Sequence, residues 1–260
     1  MLHHALAAIA GFLYRRANRI IVVTPAFKDY LIDRWRVPAQ KIDVVENGVE
    51  TDLFAPAEPV AAAVRRKELG AESSFLVCYV GTMGMAHGLE TLLDAAARLQ
   101  SAAPNILFVL IGEGSEKERI KSLAHSRGLA NVRFLDQQPR ETIPSFISAS
   151  DLCLVLLKKT DVFKTVIPTK MLEFMSCARP VILGVGGHAR QILEDAGAGL
   201  AIEPENADAL ATAITQLDHN PELAKTLGEQ GRAYILQNSS RASTAQKYIT
   251  VLRDILSTRL

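Results

Sequence analysis

Short apolar runs alternate with amphipathic stretches along almost the whole chain. Runs such as SFLVCYV, ILFVLI and DLCLVLL are continuously apolar and do not alternate with polar residues. Such runs indicate β-strands in a sheet that is covered on both faces. Intervening stretches such as LETLLDAAARLQ carry apolar residues at helical spacing. The pattern predicts an α/β fold with a Rossmann-like, doubly wound parallel sheet.

The predicted elements fall into two groups. Two short strands, RIIVVT and KIDVVENGV, flank a helix that opens at Pro25. A proline- and alanine-rich stretch without a strand, residues 47–74, separates this part from the rest. Two strands are too few for a Rossmann-like domain, so the front of the chain has the pattern of the end of a larger domain. The later strands are SFLVCYVGT, ILFVLIGEG, VRFLD, DLCLVLL, RPVILG and GLAIEP, each followed by a helix.

Composition narrows the class of protein. The 260 residues are 48% hydrophobic with a net charge of +1, which favours an ordinary globular protein and gives no support to nucleic-acid binding. Cys78, Cys153 and Cys177 lie in apolar runs without a CxxC pair, so we interpret them as core residues of a protein in a reducing cytoplasm. No Asp/Glu cluster suggests a magnesium site, and neither a metal nor another cofactor is expected.

The N-terminal stretch LHHALAAIAGFLYRRANR is apolar and then basic. Its apolar part is too short to span a bilayer, and its charges follow the apolar residues, unlike those of a signal sequence. An amphipathic helix followed by Arg15, Arg16 and Arg19 fits better. Two interpretations stay open, a packed surface helix or peripheral contact with an anionic membrane face.

Three glycine-rich turns follow predicted strands. GTMGMAHG, Gly81 to Gly88, allows close approach of a phosphate to the backbone, although a plain tight turn explains it equally well. In GEGSEKERI, Glu113 and Glu116 disfavour phosphate, so we interpret this turn as pocket wall. GVGGHA fits the dinucleotide fingerprint, and Glu203 ends the next strand as a ribose-binding acid would. A nicotinamide site is therefore an alternative, although the match comes late in the fold.

A lysine-rich segment follows DLCLVLL. The end of that strand brings Lys158, Lys159, Lys164 and Lys170 to a carboxyl-end loop, where ligands of such sheets bind. Glu173 is predicted in the first turn of the next helix, able to accept hydrogen bonds from a ribose diol. The lysines would meet a diphosphate. The alternative is a solvated basic loop with a glutamate that only stabilises the helix dipole.

These segments together carry a family resemblance. VVENGVETDLFAP, VGTMGMAHGLETLLDAA, PTKMLEFMSCARPVI and GAGLAIEPENADALATAI occur in the order and spacing seen in retaining glycosyltransferases of the GT-B fold. The chain resembles the family 4 type, which includes bacterial capsule and O-antigen transferases. Such enzymes pair an N-terminal acceptor domain with a C-terminal nucleotide-sugar domain.

The resemblance implies a division of the chain into three parts. Residues 1–50 correspond to the end of the acceptor domain, residues 51–240 to the donor domain, and residues 241–260 to a helix that crosses back. Most of the acceptor domain, with the family's usual active-site histidine, would lie outside this chain. We therefore expect either a truncated form or a chain that needs a partner, inactive alone.

The match with the family's motifs is incomplete. Glu173 matches the second, ribose-binding glutamate of the E-x7-E motif, whereas Thr165 stands where the first would be. This departure leaves recognition of the donor sugar open. Many relatives have Arg and Lys in the glycine turn, where this chain has Thr82 and His87.

Other positions of the donor site follow from the same resemblance. Lys164 or Lys170 would supply the charge missing from the glycine turn. The segment Leu135 to Gln138 lies where relatives hold the base, and Gly186 to His188 lie near the sugar end. Catalytic residues stay unassigned. The implied donor site comprises Gly81, Thr82, Gly84, His87, Leu135, Asp136, Gln137, Lys164, Thr165, Lys170, Glu173, Gly187 and His188.

The implied activity is hexosyl transfer with retention from a nucleoside diphosphate sugar, with UDP as the expected carrier. A glycan or polyprenyl-linked acceptor in bacterial surface polysaccharide synthesis fits the family, and FKTVIPTK resembles N-acetylfucosamine-type transferases. The alternatives are a non-catalytic sugar-nucleotide-binding module, one subunit of a split transferase, or a nicotinamide-dependent dehydrogenase. The incomplete front part also predicts an uncovered apolar face that drives self-association.

Overall fold

The computed structural model describes residues 2–257, which form two compact units. The small unit contains the residues up to Gly48 together with those from Ser239 onward, and the large unit is Val49–Asn238. The predicted donor domain, residues 51–240, has nearly the bounds of the large unit. The elements in chain order are α1 (Leu2–Arg16), β1 (Ile20–Val22), α2 (Pro25–Trp35), β2 (Ile42–Val44), α3 (Pro59–Glu68), β3 (Phe75–Val80), α4 (Glu90–Ala102), β4 (Ile106–Ile111), α5 (Lys117–Ser126), β5 (Val132–Leu135), α6 (Ile143–Ala149), β6 (Leu152–Leu156), α7 (Thr169–Ser176), β7 (Val181–Gly184), α8 (His188–Asp195), β8 (Gly199–Ala201), α9 (Ala207–Asp218), α10 (Pro221–Asn238) and α11 (Arg241–Ser257).

In the small unit, β1 and β2 form a parallel pair. Helix α2 begins where Thr24 caps it, since the Thr24 hydroxyl accepts the Phe27 N–H at 3.3 Å and Pro25 opens the first turn. The helix ends at Arg36, which adopts a left-handed conformation. A small core of Leu31, Val37 and Ile42 lies beneath it.

Helix α1 packs on Trp35 through Gly11 and Tyr14, whose ring stands edge-on to the indole with centroids 5.2 Å apart. Gly11 lies close against Trp35, where an added Cβ would come within 3.2 Å of the indole. The large apolar side chains point away, and Leu6, Ile9, Phe12 and Leu13 are each more than half exposed. The uncovered apolar face exists in this unit, whereas self-association and membrane contact stay predictions. None of the helices in residues 2–257 is long and apolar enough to cross a membrane.

The large unit contains one parallel six-stranded sheet in the order β5-β4-β3-β6-β7-β8. Side chains of β3 alternate between two cores, with Leu76 and Cys78 on one face and Val77 and Tyr79 on the other. The predicted doubly wound α/β sheet, covered on both faces, is confirmed. All three cysteines are buried and free.

The predicted separation near residue 50 agrees with the boundary between the two units at Gly48 and Val49, and the stretch that follows packs into the large unit's core. It contains helix α3, and the Phe54 side chain is 2% exposed. The Ser176 hydroxyl donates a hydrogen bond of 2.5 Å to the Phe54 carbonyl. Its proline and alanine content hid the two apolar residues, Val49 and Phe54, that anchor it.

The strand order places a crevice between β3 and β6. The chain proceeds from β3 to β4 and β5 on one side of the sheet, then returns to build β6, β7 and β8 on the other. Loops leaving the carboxyl ends of β3 and β6 therefore diverge, which opens the crevice where ligands of such sheets bind.

Candidate functional site

A pocket of about 640 Å³ lies at the carboxyl ends of the strands. It is lined by the loops after β3, β4 and β5 and by the start of α7. Five of the predicted donor-site residues line it together: Gly81, Thr82, Gln137, Lys170 and Glu173.

Two glycines in the pocket wall are required by close packing. Gly81 has φ +136°, and a Cβ there would lie 2.7 Å from the Lys170 ammonium nitrogen. Gly112 has φ +145°, and its Cβ would overlap the Gly81 carbonyl oxygen at 2.1 Å. Only glycine gives this backbone both its conformation and its proximity to the lysine.

Lys170 is a half-buried cation beside this turn. Its Nζ donates to the Tyr79 hydroxyl at 3.1 Å and lies 4.3 Å from the centre of the Tyr79 ring. The Tyr79 hydroxyl donates in turn to the Thr82 carbonyl at 2.6 Å. Burial lowers the pKa of Lys170 to about 8, although Glu173 acts to raise it. The site therefore holds an ammonium group that is mostly charged at neutral pH and is poorly solvated.

His87 cannot supply the positive charge of the lysine that relatives carry. Burial and the nearby Lys170 lower the pKa of His87 to about 4, so its imidazole is neutral at neutral pH. Its ring stands edge-on to Tyr79, with centroids 6.1 Å apart. Its Nδ1 has no hydrogen-bond partner among the described residues.

Glu173 lines the pocket, but its position in α7 differs from the prediction. The helix begins at Thr169, so Glu173 is its fifth residue, and the first turn contains no acidic residue. The helix dipole therefore stabilises this carboxylate less than expected. Lys170 and Glu173 are three residues apart, a spacing that places both side chains on one helix face.

The glutamates of the β4 turn are paired with cations. Lys117 is 5% exposed, and its Nζ bonds the Glu113 carboxylate at 2.5 Å and the Asp136 carboxylate at 2.6 Å. Arg119 pairs with Glu116 at 2.6 Å. Glu113 nevertheless lines the pocket. The two glutamates disfavour a phosphate less than their charges alone suggest, because Lys117 and Arg119 are paired with them.

The four lysines of the lysine-rich segment after β6 do not form one cluster in this pocket. Lys158, Lys159 and Lys164 are exposed and line a separate pocket of about 240 Å³. Lys164 pairs with Asp161 at 2.7 Å. Of the four, only Lys170 lines the larger pocket, because it lies on α7 and not in the loop.

The GVGGHA turn has a packing reason for its glycines. Gly187 has φ +71°, and a Cβ there would lie 2.0 Å from the Lys164 carbonyl oxygen. Gly186 and Gly187 line the smaller pocket with the lysines. The fingerprint match thus coincides with a close contact between this turn and the loop after β6.

The remaining predicted residues lie outside the larger pocket. Gly84 lines a third pocket of about 140 Å³. Leu135 ends β5 and Asp136 follows it beside Gln137. The Thr165 hydroxyl donates to the Val162 carbonyl, and His188 is the first residue of α8. The larger pocket is also lined by residues that were not among the predicted site or wall residues, including Phe54, Arg140 and Ile143.

Arg140 is held at the rim by two contacts. Its Nη1 pairs with Glu50 at 2.5 Å, and its guanidinium lies 5.3 Å from the centre of the Phe54 ring. Metal binding has no support within residues 2–257, where no group of three His, Cys, Asp or Glu side chains could hold an ion. The pocket can bind an anion at Lys170 and a neighbouring diol at Glu173, and Arg140 at its rim can contact a planar group.

Two relatives of known name match most of this chain but only part of their own length. An alpha-D-kanosaminyltransferase from Streptomyces kanamyceticus is 26% identical over 243 residues, which is 93% of this chain and 61% of that protein. A GDP-mannose-dependent phosphatidylinositol monomannoside mannosyltransferase from Mycolicibacterium smegmatis is 26% identical over 204 residues, 77% of this chain and 53% of that protein. The chain thus spans about half to two thirds of the length of these relatives.

The solved structures agree on the fold. HepE from Anabaena in complex with UDP superposes with a TM-score of 0.83 at 22% identity, covering 93% of this chain and 65% of HepE. The α/β sheet matches those of GT-B glycosyltransferases. The model of glycosyltransferase family 4 matches residues 1–53, and the model of glycosyl transferases group 1 matches residues 61–234. The chain belongs to the glycosyl transferases group 1 family.

Proposed function

We propose that the large unit is the donor-binding part of a retaining glycosyltransferase that takes a UDP-sugar. The observation that carries this proposal is the pairing of Lys170 and Glu173 on one face of α7, beside the Gly81 turn. A diphosphate matches the cation and the approachable backbone, and a ribose diol matches the carboxylate. The Arg140 rim then meets the base.

Uridine is proposed as the base from two lines of support. HepE, which has the same fold, was solved with UDP, and the Leu135 to Gln138 strand end leads directly into the pocket. A GDP-mannose-dependent relative is 26% identical to this chain, so GDP is the competing ligand in any test. The acceptor, a glycan or polyprenyl-linked sugar of bacterial surface polysaccharide, is part of the proposal.

The proposed chemistry needs little from the large unit beyond charge stabilisation. The bond between the anomeric carbon and the diphosphate oxygen breaks, the acceptor hydroxyl oxygen forms a new bond on the same face, and the hydroxyl proton passes to the departing diphosphate. Lys170 and backbone N–H groups of the glycine turn would stabilise the negative charge that develops on the diphosphate. No metal is part of this scheme.

Calorimetric titration with UDP, GDP and NAD tests the proposal. We expect UDP to bind and Glu173→Ala to weaken it by about 1.5 kcal/mol, roughly tenfold in Kd, as loss of a charged hydrogen-bond partner should. Glu118→Ala, an exposed position on α5, is the matched control and should leave Kd unchanged.

The other outcomes are informative. Binding of NAD without UDP would refute the proposal and favour the GVGGHA turn as the site. Preference for GDP would keep the donor role and overturn the uridine assignment. Equal UDP affinity in the Glu173→Ala variant would remove this carboxylate from the site.

A second candidate is a module that holds a sugar nucleotide without turnover, alone or as one subunit of a split transferase. It is favoured by the fact that residues of the large unit alone line the pocket. Release of UDP from a bound UDP-sugar, followed with and without a glycan acceptor, separates the two. Binding of the UDP-sugar without release of UDP under both conditions would support the module.

A further inference from the structure

Lys117 is a deeply buried cation at the edge of the proposed donor pocket. Only 5% of the residue is exposed, yet its ammonium group lies between two carboxylates. Glu113 follows β4 and lines the pocket, whereas Asp136 follows β5 next to Gln137, which also lines it. Ionised side chains are rarely this buried unless they are paired.

The two carboxylates belong to loops that leave neighbouring strands. Ile111 of β4 and Leu135 of β5 are register partners, so Glu113 and Asp136 both follow the sheet's carboxyl edge. Lys117 is the first residue of α5 and bonds both acids, at 2.5 and 2.6 Å. Asp136 and Glu113 raise the pKa of Lys117, and Lys117 lowers the pKa of Asp136.

The β4 turn is also tied to the glycine turn that faces the proposed diphosphate. The Met83 N–H donates to the Glu113 carbonyl at 2.7 Å, and the Glu116 N–H donates to the Met83 carbonyl at 2.9 Å. A movement of the Glu113 loop would therefore be transmitted to the backbone after Gly81. Backbone hydrogen bonds fix the loop, and Lys117 fixes the direction of its carboxylate.

Charge makes this arrangement matter for a phosphate ligand. Without Lys117, Glu113 would present an unpaired negative charge in the wall of a pocket proposed to receive a diphosphate, with the exposed Asp136 carboxylate nearby. Like charges in a partly buried pocket repel more strongly than in water. With Lys117 in place, the three groups sum to one negative charge, and the Glu113 carboxylate is bonded to an ammonium group.

We propose that Lys117 is a positioning residue of the donor site, which masks Glu113 and Asp136 so that an anionic nucleotide can bind. The proposal rests on the proposed donor function of the same pocket. Its specific consequence is a selective effect on phosphate charge, because a neutral nucleoside in the same pocket does not meet the repulsion.

The test compares UDP with uridine on three variants by calorimetry. We expect Lys117→Met to weaken UDP on the order of tenfold while uridine changes less than about twofold. Adding Glu113→Gln to Lys117→Met should recover most of the lost UDP affinity, and raising the salt concentration should narrow the difference. Lys225→Met, which removes an exposed helix-surface lysine, is the matched control.

Several results would overturn the proposal. Equal losses of UDP and uridine affinity in Lys117→Met would assign Lys117 a purely structural role. If Lys117→Met does not fold, Glu113→Gln alone decides the question, because it should tighten UDP and leave uridine unchanged. UDP binding with an unchanged UDP-to-uridine ratio in all variants refutes only the Lys117 role, whereas absence of UDP binding by the unaltered chain refutes the donor function itself.

Discussion

The pH dependence of nucleotide affinity is the sharpest consequence of the pocket's electrostatics. Lys170, with a pKa of about 8, is the group expected to change charge between pH 7 and 9. Its neighbours His87, with a pKa of about 4, and Tyr79, whose pKa burial raises, keep their charge in that range. Raising the pH therefore removes one positive charge from beside Gly81.

The size of the effect follows from that pKa. Lys170 is about 90% charged at pH 7 and about 10% charged at pH 9, so an anion that requires the ammonium form loses about tenfold in affinity, or about 1.4 kcal/mol. The sign follows from linkage: a bound anion raises the pKa of Lys170, so binding takes up a proton, and affinity falls as the pH rises through 8.

The assay is calorimetric titration of UDP and uridine at pH 6.5, 7, 8 and 9, in buffers with different heats of ionisation. We expect the UDP-to-uridine affinity ratio to fall about tenfold from pH 7 to pH 9, with proton uptake per UDP bound rising from about 0.1 at pH 7 to about 0.9 at pH 9. Uridine controls for ionisation of the base. Lys170→Met should give a low ratio at every pH. A ratio that stays flat in the unaltered chain would refute the assignment of Lys170 to the diphosphate.

Two further predictions concern stability. Gly187→Ala should cost at least about 2 kcal/mol in urea unfolding, since it combines a positive φ with overlap of the Lys164 carbonyl, whereas Gly128→Ala, with φ +63° and open space around it, should cost about 1 kcal/mol. Equal costs would contradict the packing argument. Ser176→Ala should cost about 1–2 kcal/mol, because the buried Phe54 carbonyl loses its donor, and Thr226→Ala on the exposed surface of α10 should cost under about 0.5 kcal/mol. A Ser176→Ala cost no larger than that of Thr226→Ala would show that this bond contributes nothing.

Much of the fold was predictable because its signals are local. Continuous apolar runs such as β4 and β6 can be buried on both faces only in a covered parallel sheet, and the chain direction then fixes the edge at which loops converge. The burial of Phe54 was not predictable, because its partners are distant in sequence. Phe54 is an isolated apolar residue in a proline-rich stretch, and its carbonyl accepts a hydrogen bond from Ser176.

The candidate site was predictable only as far as its residues lie on one element or at a strand end. Lys170 and Glu173 share a helix face, and Gly81 follows a strand, so the sequence brings them to one edge. The Glu113–Lys117 pair was not predictable from helical spacing, because Glu113 lies in the turn before α5. The contact of Asp136 with Lys117 was not predictable either, because it requires the register between β4 and β5.

The sequence shows how many lysines a segment contains, whereas the structure shows how far each lysine is buried. Lys158, Lys159 and Lys164 are exposed, and salt screens their attraction for an anion over about 8 Å at physiological ionic strength. Lys170 is a single charge, but it is half-buried beside Tyr79, where screening by water is weaker. Lys117 is also buried, but its proposed role is to neutralise the carboxylates of Glu113 and Asp136 and not to bind the anion. We therefore expect the affinity of this pocket for a nucleotide to depend on the half-buried Lys170 and the buried Lys117 more than on the exposed basic loop. Lys117 lies outside the lysine-rich segment that the sequence singled out.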